Sequence, residues 1–237
     1  MQYVSMNKND ISSYLKSPVI FPIGAIEQHG DNLPLGTDTL ILDAIFEKLA
    51  IQIGDKALVL PTQWVGLSTK HALFPGTLSL SKETIRYLIH DVASWLSESG
   101  FLTMVIVNSY SGNEVILKTI IDEWNKNYKL ELIYYDIWSE VTIQLNTKLS
   151  GGIDLHAGDS ERLVICALRE DLVKEDVLSQ GYLPRYDTKS TQGFYAKSIS
   201  GAVNFRESIA IDHERGMQLV EQMKKDFLAF LESLIKN

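Results

Sequence analysis

Short apolar runs alternate with longer stretches of helical periodicity along this chain. The short runs have the pattern of buried strands and cover residues 19–23, 57–60, 102–107 and 130–135. Helical spacing recurs in residues 39–53, 85–96, 115–120, 137–149, 161–172 and 212–235. Strand, loop and helix in repeated succession predict βαβ units. We therefore expect an α/β fold with three layers, α/β/α, around a mainly parallel sheet.

The pattern has no obvious break between two parts. There is no internal repeat, low-complexity tract or linker, and 237 residues are a size that one α/β domain can fill. We therefore expect one domain over residues 1–237. Residues 179–206 are rich in Gly, Ser, Thr and Tyr and are predicted to form an extended loop.

The loop between the first strand and the first helix concentrates chemistry-bearing side chains. It carries Glu27, His29 and Asp38 among three glycines and a proline. In open α/β sheets, ligands bind beyond the carboxyl ends of strands. Two carboxylates and an imidazole suit Zn²⁺, Mn²⁺ or Fe²⁺. A structural alternative stays open, in which Asp38 only caps the helix and the other two are solvated loop residues.

Two phrases of this loop resemble the signature of the creatininase (creatinine amidohydrolase) family. They are Pro22-Ile-Gly-Ala-Ile-Glu-Gln-His-Gly30 and Leu33-Pro-Leu-Gly-Thr-Asp-Thr39. Members are metal-dependent amidohydrolases and deformylases that act on small cyclic or linear amides. The resemblance implies a creatininase-like fold. It also implies that Glu27, His29 and Asp38 are metal ligands, with Asp38 bridging two metals.

A second motif, His156-Ala-Gly-Asp-Ser-Glu161, also resembles the family, whose usual form is His-Ala-Gly, two variable residues and Glu. The resemblance implies that His156 takes part in proton transfer and that Glu161 lies at the metal centre. A structural alternative exists for Glu161, because the helix dipole favours a carboxylate in a first turn. The sequence departs from the family at Arg162, where relatives carry Thr.

The third motif differs more strongly. Relatives read Asn-Gly-His-Gly-Gly-Asn, or have Glu at the fifth place, whereas this chain reads Asn108-Ser-Tyr-Ser-Gly-Asn113. Tyr110 replaces the expected metal-binding His, and Gly112 stands at the acidic place. A phenol with a pKa near ~10 is a poor ligand for Zn²⁺ or Mn²⁺. Tyr110 is therefore expected to be either a spectator or a hydrogen-bond donor to a substrate oxyanion.

One further segment resembles the family, the stretch in which His71 shortly precedes Phe74-Pro-Gly-Thr77. This segment borders the active site of relatives. Two interpretations of His71 stay open: contact with the substrate or a neighbouring subunit, and a hydrogen-bonded structural role.

Together these motifs predict a metal-dependent amidohydrolase that cleaves a C–N bond of a small cyclic or linear amide. The expected cofactor is Zn, Mn or Fe, one or two ions per chain. The predicted metal ligands are Glu27, His29, Asp38 and Glu161, and the predicted catalytic residues are His156, Glu161 and Tyr110. One alternative is a catalytically impaired family member that binds a small ligand, because Tyr110 replaces His. Another is a metal-free hydrolase that uses Glu27 and Asp38 as a carboxylate pair.

Composition and charge exclude some classes of binding partner. The net charge is −8 and no basic cluster stands out, so we expect no nucleic-acid partner. No apolar run approaches the ~20 residues of a membrane span, and the first residues lack the pattern of a signal peptide. A cytoplasmic protein is the expectation. The family resemblance implies a homo-oligomer, which could be a hexamer.

Overall fold

The computed structural model describes residues 2–150, 154–174, 203–204 and 212–236. Its strands are β1 (Val19–Ile23), β2 (Leu58–Val59), β3 (Thr103–Asn108), β4 (Glu131–Asp136), β5 (Asp154–His156) and β6 (Val203–Asn204). Its α-helices are α1 (Thr37–Ile53), α2 (Lys82–Glu98), α3 (Glu114–Asn125), α4 (Glu140–Ser150), α5 (Asp159–Arg169) and α6 (His213–Lys236). The main sheet has the order β2-β1-β3-β4 with all neighbours parallel, and β5 pairs with β6 antiparallel.

Side chains alternate across the central strands because successive residues of a strand point to opposite faces. Ile20, Val105 and Val107 pack in one core cluster with apolar residues of α1, α5 and α6. Phe21 and Ile106 pack in a second cluster with apolar residues of α2 and α3. Both faces of the sheet are thus covered by helices, and the predicted three-layer α/β/α fold is confirmed.

The predicted boundaries need small corrections. Helix α1 begins at Thr37 rather than residue 39, and its N-cap is Gly36, which makes no side-chain cap bond. Asp38 is therefore inside the first turn and is not the cap. The strands predicted at 102–107 and 57–60 lie at Thr103–Asn108 and Leu58–Val59. The helix predicted from residue 137 begins at Glu140.

Two helix caps predicted from the sequence, Ser81 and Asp212, are confirmed. Ser81 caps α2, since its side chain accepts a hydrogen bond from the Thr84 backbone N–H. Asp212 Oδ1 accepts from the backbone N–H groups of Glu214 and Arg215 at the start of α6, at 2.9 and 3.2 Å. Apart from 203–204, which form β6, the loop predicted over residues 179–206 lies outside the described residues.

Asn113 fastens together the loops that follow the central strands. Its Oδ1 accepts from the backbone N–H of Leu67 at 2.8 Å. Its Nδ2 donates to the carbonyl of Gly24 and to Asn108 Oδ1, both at 3.2 Å. A Cβ at Gly66 would lie 2.6 Å from Asn113 Oδ1, so this close approach requires glycine there. The loops after β1, β2 and β3 therefore meet at one edge of the sheet.

Among the described residues, none of the helices has the length and apolar character needed to cross a membrane.

Candidate metal centre

Three ligand atoms from two parts of the chain converge beyond the end of β1. His29 Nε2 lies 3.7 Å from Asp38 Oδ2 and 3.7 Å from Glu161 Oε1. His29 comes from the loop after β1, Asp38 from the first turn of α1 and Glu161 from the first turn of α5. One ligand atom from each of the three residues lies within 4.8 Å of the others. The tertiary fold thus assembles one imidazole and two carboxylates.

Two of these side chains are held by an atom that does not face the centre. His29 Nδ1 is 3.1 Å from the backbone carbonyl of Glu27, so Nδ1 carries the hydrogen and donates it. In the neutral ring, the Nε2 lone pair is then left facing Asp38 and Glu161. Glu161 Oε2 accepts from the Ala157 backbone N–H at 2.6 Å, which leaves Oε1 toward His29. Such outer contacts orient metal ligands.

Burial makes this cluster dependent on a positive charge, which the His29 imidazolium or a metal ion can supply. His29 Nε2 and Asp38 Oδ2 are buried and have no hydrogen-bond partner in the part of the chain that the structure describes. Burial lowers the pKa of His29, but the Glu161 and Asp38 carboxylates raise it more, to about 10. Burial raises the pKa of Asp38 well above its ordinary value, although the His29 charge opposes this.

The donor set fits a divalent metal. A tetrahedral site with bonds of about 2.0–2.2 Å places its ligand atoms roughly 3.3–3.6 Å apart. The two separations of 3.7 Å from His29 Nε2 are close to that spacing. A divalent cation would also offset the charge of two carboxylates, one of them fully enclosed. Of the predicted metal ligands, His29, Asp38 and Glu161 can serve one ion together.

Glu27, the fourth predicted ligand, lies on the other side of His29, among imidazoles. Its Oε1 is 3.3 Å from His71 Nε2 and 3.5 Å from His156 Nδ1. The Gln28 amide holds both rings, with Nε2 at 2.8 Å from His71 Nδ1 and 2.9 Å from His156 Nε2. Gln28 Oε1 accepts from the Gly30 N–H at 3.0 Å, which assigns the amide's orientation.

The Gln28 contact also assigns the ring hydrogen of His71. His71 Nδ1 accepts from Gln28, so His71 Nε2 carries a hydrogen and points it at Glu27. His156 Nε2 lies 2.7 Å from the Gln28 backbone carbonyl oxygen and 2.9 Å from the Gln28 side-chain Nε2, so it donates to the first or accepts from the second, according to its tautomer. A ligand atom of each of Glu27, His29 and His156 lies within 4.8 Å of the others.

The charges on this second side follow from burial. Burial raises the pKa of Glu27 to about 7, with the His29 charge opposing it. Burial and then the His29 charge lower the pKa of His71 to about 3. The same two causes hold the pKa of His156 well below its ordinary value. Both imidazoles are therefore neutral at pH 7.

Tyr110, which follows the end of β3, completes the Glu27 side. The side chain is buried, with 5% of the residue exposed. Its hydroxyl lies beside the Glu27 carboxylate and the Ser68 hydroxyl, without a well-formed hydrogen bond to any described residue. Burial and then the Glu27 charge raise its pKa far above the ordinary value, so the phenol stays protonated.

Sequence reasoning missed two contributors to this site. Gln28 lies within the first motif but has no chemistry of its own to mark it, and its role depends on contacts 43 and 128 residues away. Ser68 also carried no signal. His71, whose role the sequence left open, lies against Glu27 rather than against the His29–Asp38–Glu161 cluster.

The fold and this cluster define a class of protein, an α/β protein whose strand-end loops gather histidines and carboxylates at one edge of the sheet. The family described as creatininase, creatinine amidohydrolase, matches residues 5–231. The chain therefore belongs to the creatininase family, as the first motif predicted.

Curated relatives agree with the family. The chain is 29% identical over 175 residues to mycofactocin precursor peptide peptidase of Mycobacterium ulcerans, covering 69% of this chain and 63% of that protein. It is 28% identical over 175 residues to creatinine amidohydrolase of Pseudomonas putida, covering 67% and 66%. It is 26% identical over 178 residues to 3-dehydro-scyllo-inosose hydrolase of Thermotoga maritima, covering 70% and 56%. The chain thus spans less than two thirds of the length of these relatives.

Solved structures share the fold over the whole chain. A structure named "Creatininase Mn" has a TM-score of 0.80 at 19% identity and covers 100% of this chain and 99% of that one. A creatinine amidohydrolase (creatininase) crystal structure has a TM-score of 0.80 at 20% identity, covering 100% and 98%. A putative creatinine amidohydrolase of Bacteroides fragilis has a TM-score of 0.76 at 17% identity, covering 100% and 97%.

Proposed function

We propose that this protein is a metal-dependent hydrolase that cleaves a C–N bond in a small cyclic or linear amide. The observation that carries the proposal is the convergence of His29 Nε2, Asp38 Oδ2 and Glu161 Oε1 within 4.8 Å of one another. Two of these atoms are buried and have no hydrogen-bond partner among the described residues, which is costly unless a cation is bound.

The proposed ion is Zn²⁺, Mn²⁺ or Fe²⁺, held by His29, Asp38 and Glu161. When bound, a divalent metal would lower the pKa of water and polarise a carbonyl oxygen, which makes water a better nucleophile and the amide carbon easier to attack. Manganese is supported by the structure named "Creatininase Mn", which has the same fold. The Glu161–Ala157 contact and the His29–Glu27 carbonyl contact would hold two of the ligands in place for the ion.

His156 is the proposed proton carrier. Its Nε2 contacts Gln28, and its Nδ1 lies 3.5 Å from Glu27 Oε1. A proton can pass between these two atoms with little movement. His156 therefore accepts a proton from the Glu27 side and delivers it to the departing nitrogen. Tyr110 would donate a hydrogen bond from the same side to an oxygen that gains negative charge.

The substrate class is drawn widely because the named relatives differ. Their names specify creatinine, a mycofactocin precursor peptide and 3-dehydro-scyllo-inosose. A test panel should therefore include creatinine, a mycofactocin precursor peptide and simple cyclic and linear amides, each assayed with and without EDTA. Turnover of 3-dehydro-scyllo-inosose, which has no C–N bond, would point to a different hydrolysis. Metal-dependent turnover supports the proposal, whereas turnover that ignores EDTA supports the carboxylate-pair alternative with Glu27 and Asp38.

The decisive experiment measures metal per chain in protein purified without chelator. Asp38→Ala should lose most of the bound metal, because it removes a buried carboxylate from the cluster. Asp43→Ala is the matched control, since Asp43 is exposed on the same helix. If Asp38→Ala keeps the metal content of the wild type under native mass spectrometry, the assignment is wrong.

A catalytically impaired protein that binds a small ligand is the second candidate. Tyr110 at the place of the expected His favours it. Bound metal together with ligand-dependent thermal shifts, but no turnover across the panel, would support this candidate over the hydrolase.

A further inference from the structure

The Tyr110 ring fills the space that a side chain at position 112 would need. A Cβ built on Gly112 would lie 2.3 Å from Tyr110 Cζ, 2.4 Å from Cε1 and 2.5 Å from the hydroxyl oxygen. These distances are far shorter than any van der Waals contact, and the Tyr110 ring is buried. The phenol therefore fills the place in which a side chain at position 112 would begin. Position 112 can carry a side chain only if the Tyr110 ring leaves.

Hydrogen-bond donors lie around Glu27. His71 Nε2 points a hydrogen at Glu27 Oε1, and the Tyr110 and Ser68 hydroxyls lie beside the same carboxylate. These groups lie near the Glu27 charge, but neither Glu27 oxygen makes a well-formed hydrogen bond to a described residue, so both oxygens can accept from a bound substrate. In the His29–Asp38–Glu161 cluster, a bound ion would replace the Nε2 hydrogen of His29, after which no donor remains among the atoms that face one another.

The ligand count also disfavours an ion at Glu27. In the described part of the chain, Glu27 falls within 4.8 Å of two other ligand atoms only in the group with His29 and His156. His29 Nε2 faces Asp38 and Glu161, so an ion there takes that lone pair. Two protein ligands, Glu27 and His156, then remain, which is fewer than the three or four of stable zinc sites.

We propose that Tyr110 and Gly112 act as one unit that excludes a second metal ion from Glu27 and presents a phenol hydroxyl to the substrate in its place. This inference rests on the proposed function, since it assumes one ion at His29, Asp38 and Glu161. It predicts a one-metal enzyme whose second electrophile is the Tyr110 hydroxyl. The hydroxyl recognises a substrate oxygen that gains negative charge during amide cleavage.

The first test titrates metal-free protein with Zn²⁺ and with Mn²⁺ by calorimetry. The wild type should bind one tight ion per chain. Tyr110→His combined with Gly112→Glu should bind two, because it opens the volume and adds two ligands beside Glu27. Gly112→Glu alone should stay at one ion, since the Tyr110 ring still fills the space.

The outcomes separate this inference from the proposed function. No tight ion in the wild type would overturn the proposed function. Two tight ions in the wild type would overturn the inference and leave the metal-dependent function standing. A second ion gained by Gly112→Glu alone would show that the Tyr110 ring does not close the site. A double variant that folds and still binds one ion would also contradict the inference.

The second test measures the steric coupling without any metal. Gly112→Ala should lower Tm by about 5 °C or more in the wild type, because overpacking a filled volume is destabilising. In a Tyr110→Ala background the same change should have little effect. Gly36→Ala is the control, since its Cβ would meet nothing closer than 3.4 Å. Equal effects of Gly112→Ala in both backgrounds would refute the coupling.

The third test addresses the hydroxyl. Tyr110→Phe removes one oxygen and keeps the ring, so it should still bind one ion. On whichever panel substrate is cleaved, kcat should fall about 100-fold while KM stays within a few-fold, as for loss of an oxyanion donor. An unchanged kcat would remove the hydroxyl from the mechanism and reduce Tyr110 to a space-filling role.

Discussion

The two sides of His29 have opposite surroundings, although they are only a few ångströms apart. On one side, Asp38 and Glu161 each approach His29 Nε2 at 3.7 Å. On the other side, Glu27 is approached by the His71 N–H and lies beside two hydroxyls. Each side carries at least one buried carboxylate. On the first side the His29 imidazolium is the counter-charge when no metal is bound, whereas on the second side donors lie beside Glu27 without a well-formed hydrogen bond to it.

This difference shows that the chemical type of a residue does not decide its role. Glu27, in the loop after β1, and Asp38, in the first turn of α1, are both buried. Asp38 Oδ2 faces His29 Nε2, whose pKa the neighbouring carboxylates raise to about 10, so a metal ion bound between them would replace the Nε2 proton. Glu27 faces hydrogens, which calls for a substrate or a proton. The donors that surround each carboxylate, rather than its own pKa, separate a metal side from a proton-transfer side.

The strongest test of the comparison replaces, in separate variants, one histidine from each side. His29→Gln should weaken metal binding about a thousandfold, because it removes one of three protein ligands. His71→Gln should change the affinity less than tenfold, since His71 contacts only the Glu27 side among the cluster residues. Calorimetry with Mn²⁺ measures both. Similar losses in the two variants would erase the distinction between the sides.

The two glutamates give a second test, with a smaller effect. Glu161→Gln should weaken metal binding about a hundredfold, because the amide can still accept from the Ala157 N–H but no longer supplies a charge. Glu27→Gln should leave the metal affinity within a few-fold. If Glu27→Gln loses as much metal as Glu161→Gln, the ion is held on the Glu27 side instead.

Asn113→Ala tests whether the metal centre depends on the hydrogen bonds that join the loops after β1, β2 and β3. Asn113→Ala leaves the Leu67 N–H and the Gly24 carbonyl without their partner, so unfolding free energy should fall by about 3 kcal/mol. Tm should then fall roughly 6–12 °C for a chain of this length. The ligands His29, Asp38 and Glu161 do not bond to Asn113, so the metal content of folded protein should persist. Asn127→Ala, at an exposed position, is the control.

Asp136 extends the comparison to the end of β4. Burial raises its pKa to about 6, so the folded protein holds this proton more tightly than the unfolded chain does. Stability from this group is therefore present below about pH 4 and lost as the pH rises to about 6. Asp136→Asn should stabilise the protein by about 2 kcal/mol at pH 7 and by little at pH 4.

Urea unfolding at both pH values measures this last effect. Asp122→Asn, exposed on α3, is the charge-matched control. A gain for Asp136→Asn of the same size at pH 4 and pH 7 would show that the carboxylate is not the cause.

Much of the architecture was predictable because it depends on local pattern. The apolar run at residues 19–23 coincides with β1, and the strand predicted at 102–107 is displaced from β3 by one residue. The start of α1 was misplaced because Thr37 and Asp38 read as loop residues, while their backbone is already helical. Polar residues at a helix start carry little hydrophobic periodicity, so pattern alone cannot place that boundary.

By itself, the sequence determined the family, the three-layer fold and a set of chemically competent residues, because motif spacing and hydrophobic period are local properties. Only the tertiary structure decided how those residues divide between two sides. Glu161 reaches His29 from 132 positions away, and Gln28 orients two rings from distant segments. The contact between Tyr110 and Gly112 also depends on how one ring turns back over the chain. Such contacts arise from packing, and packing is decided by the whole fold rather than by neighbours in the chain.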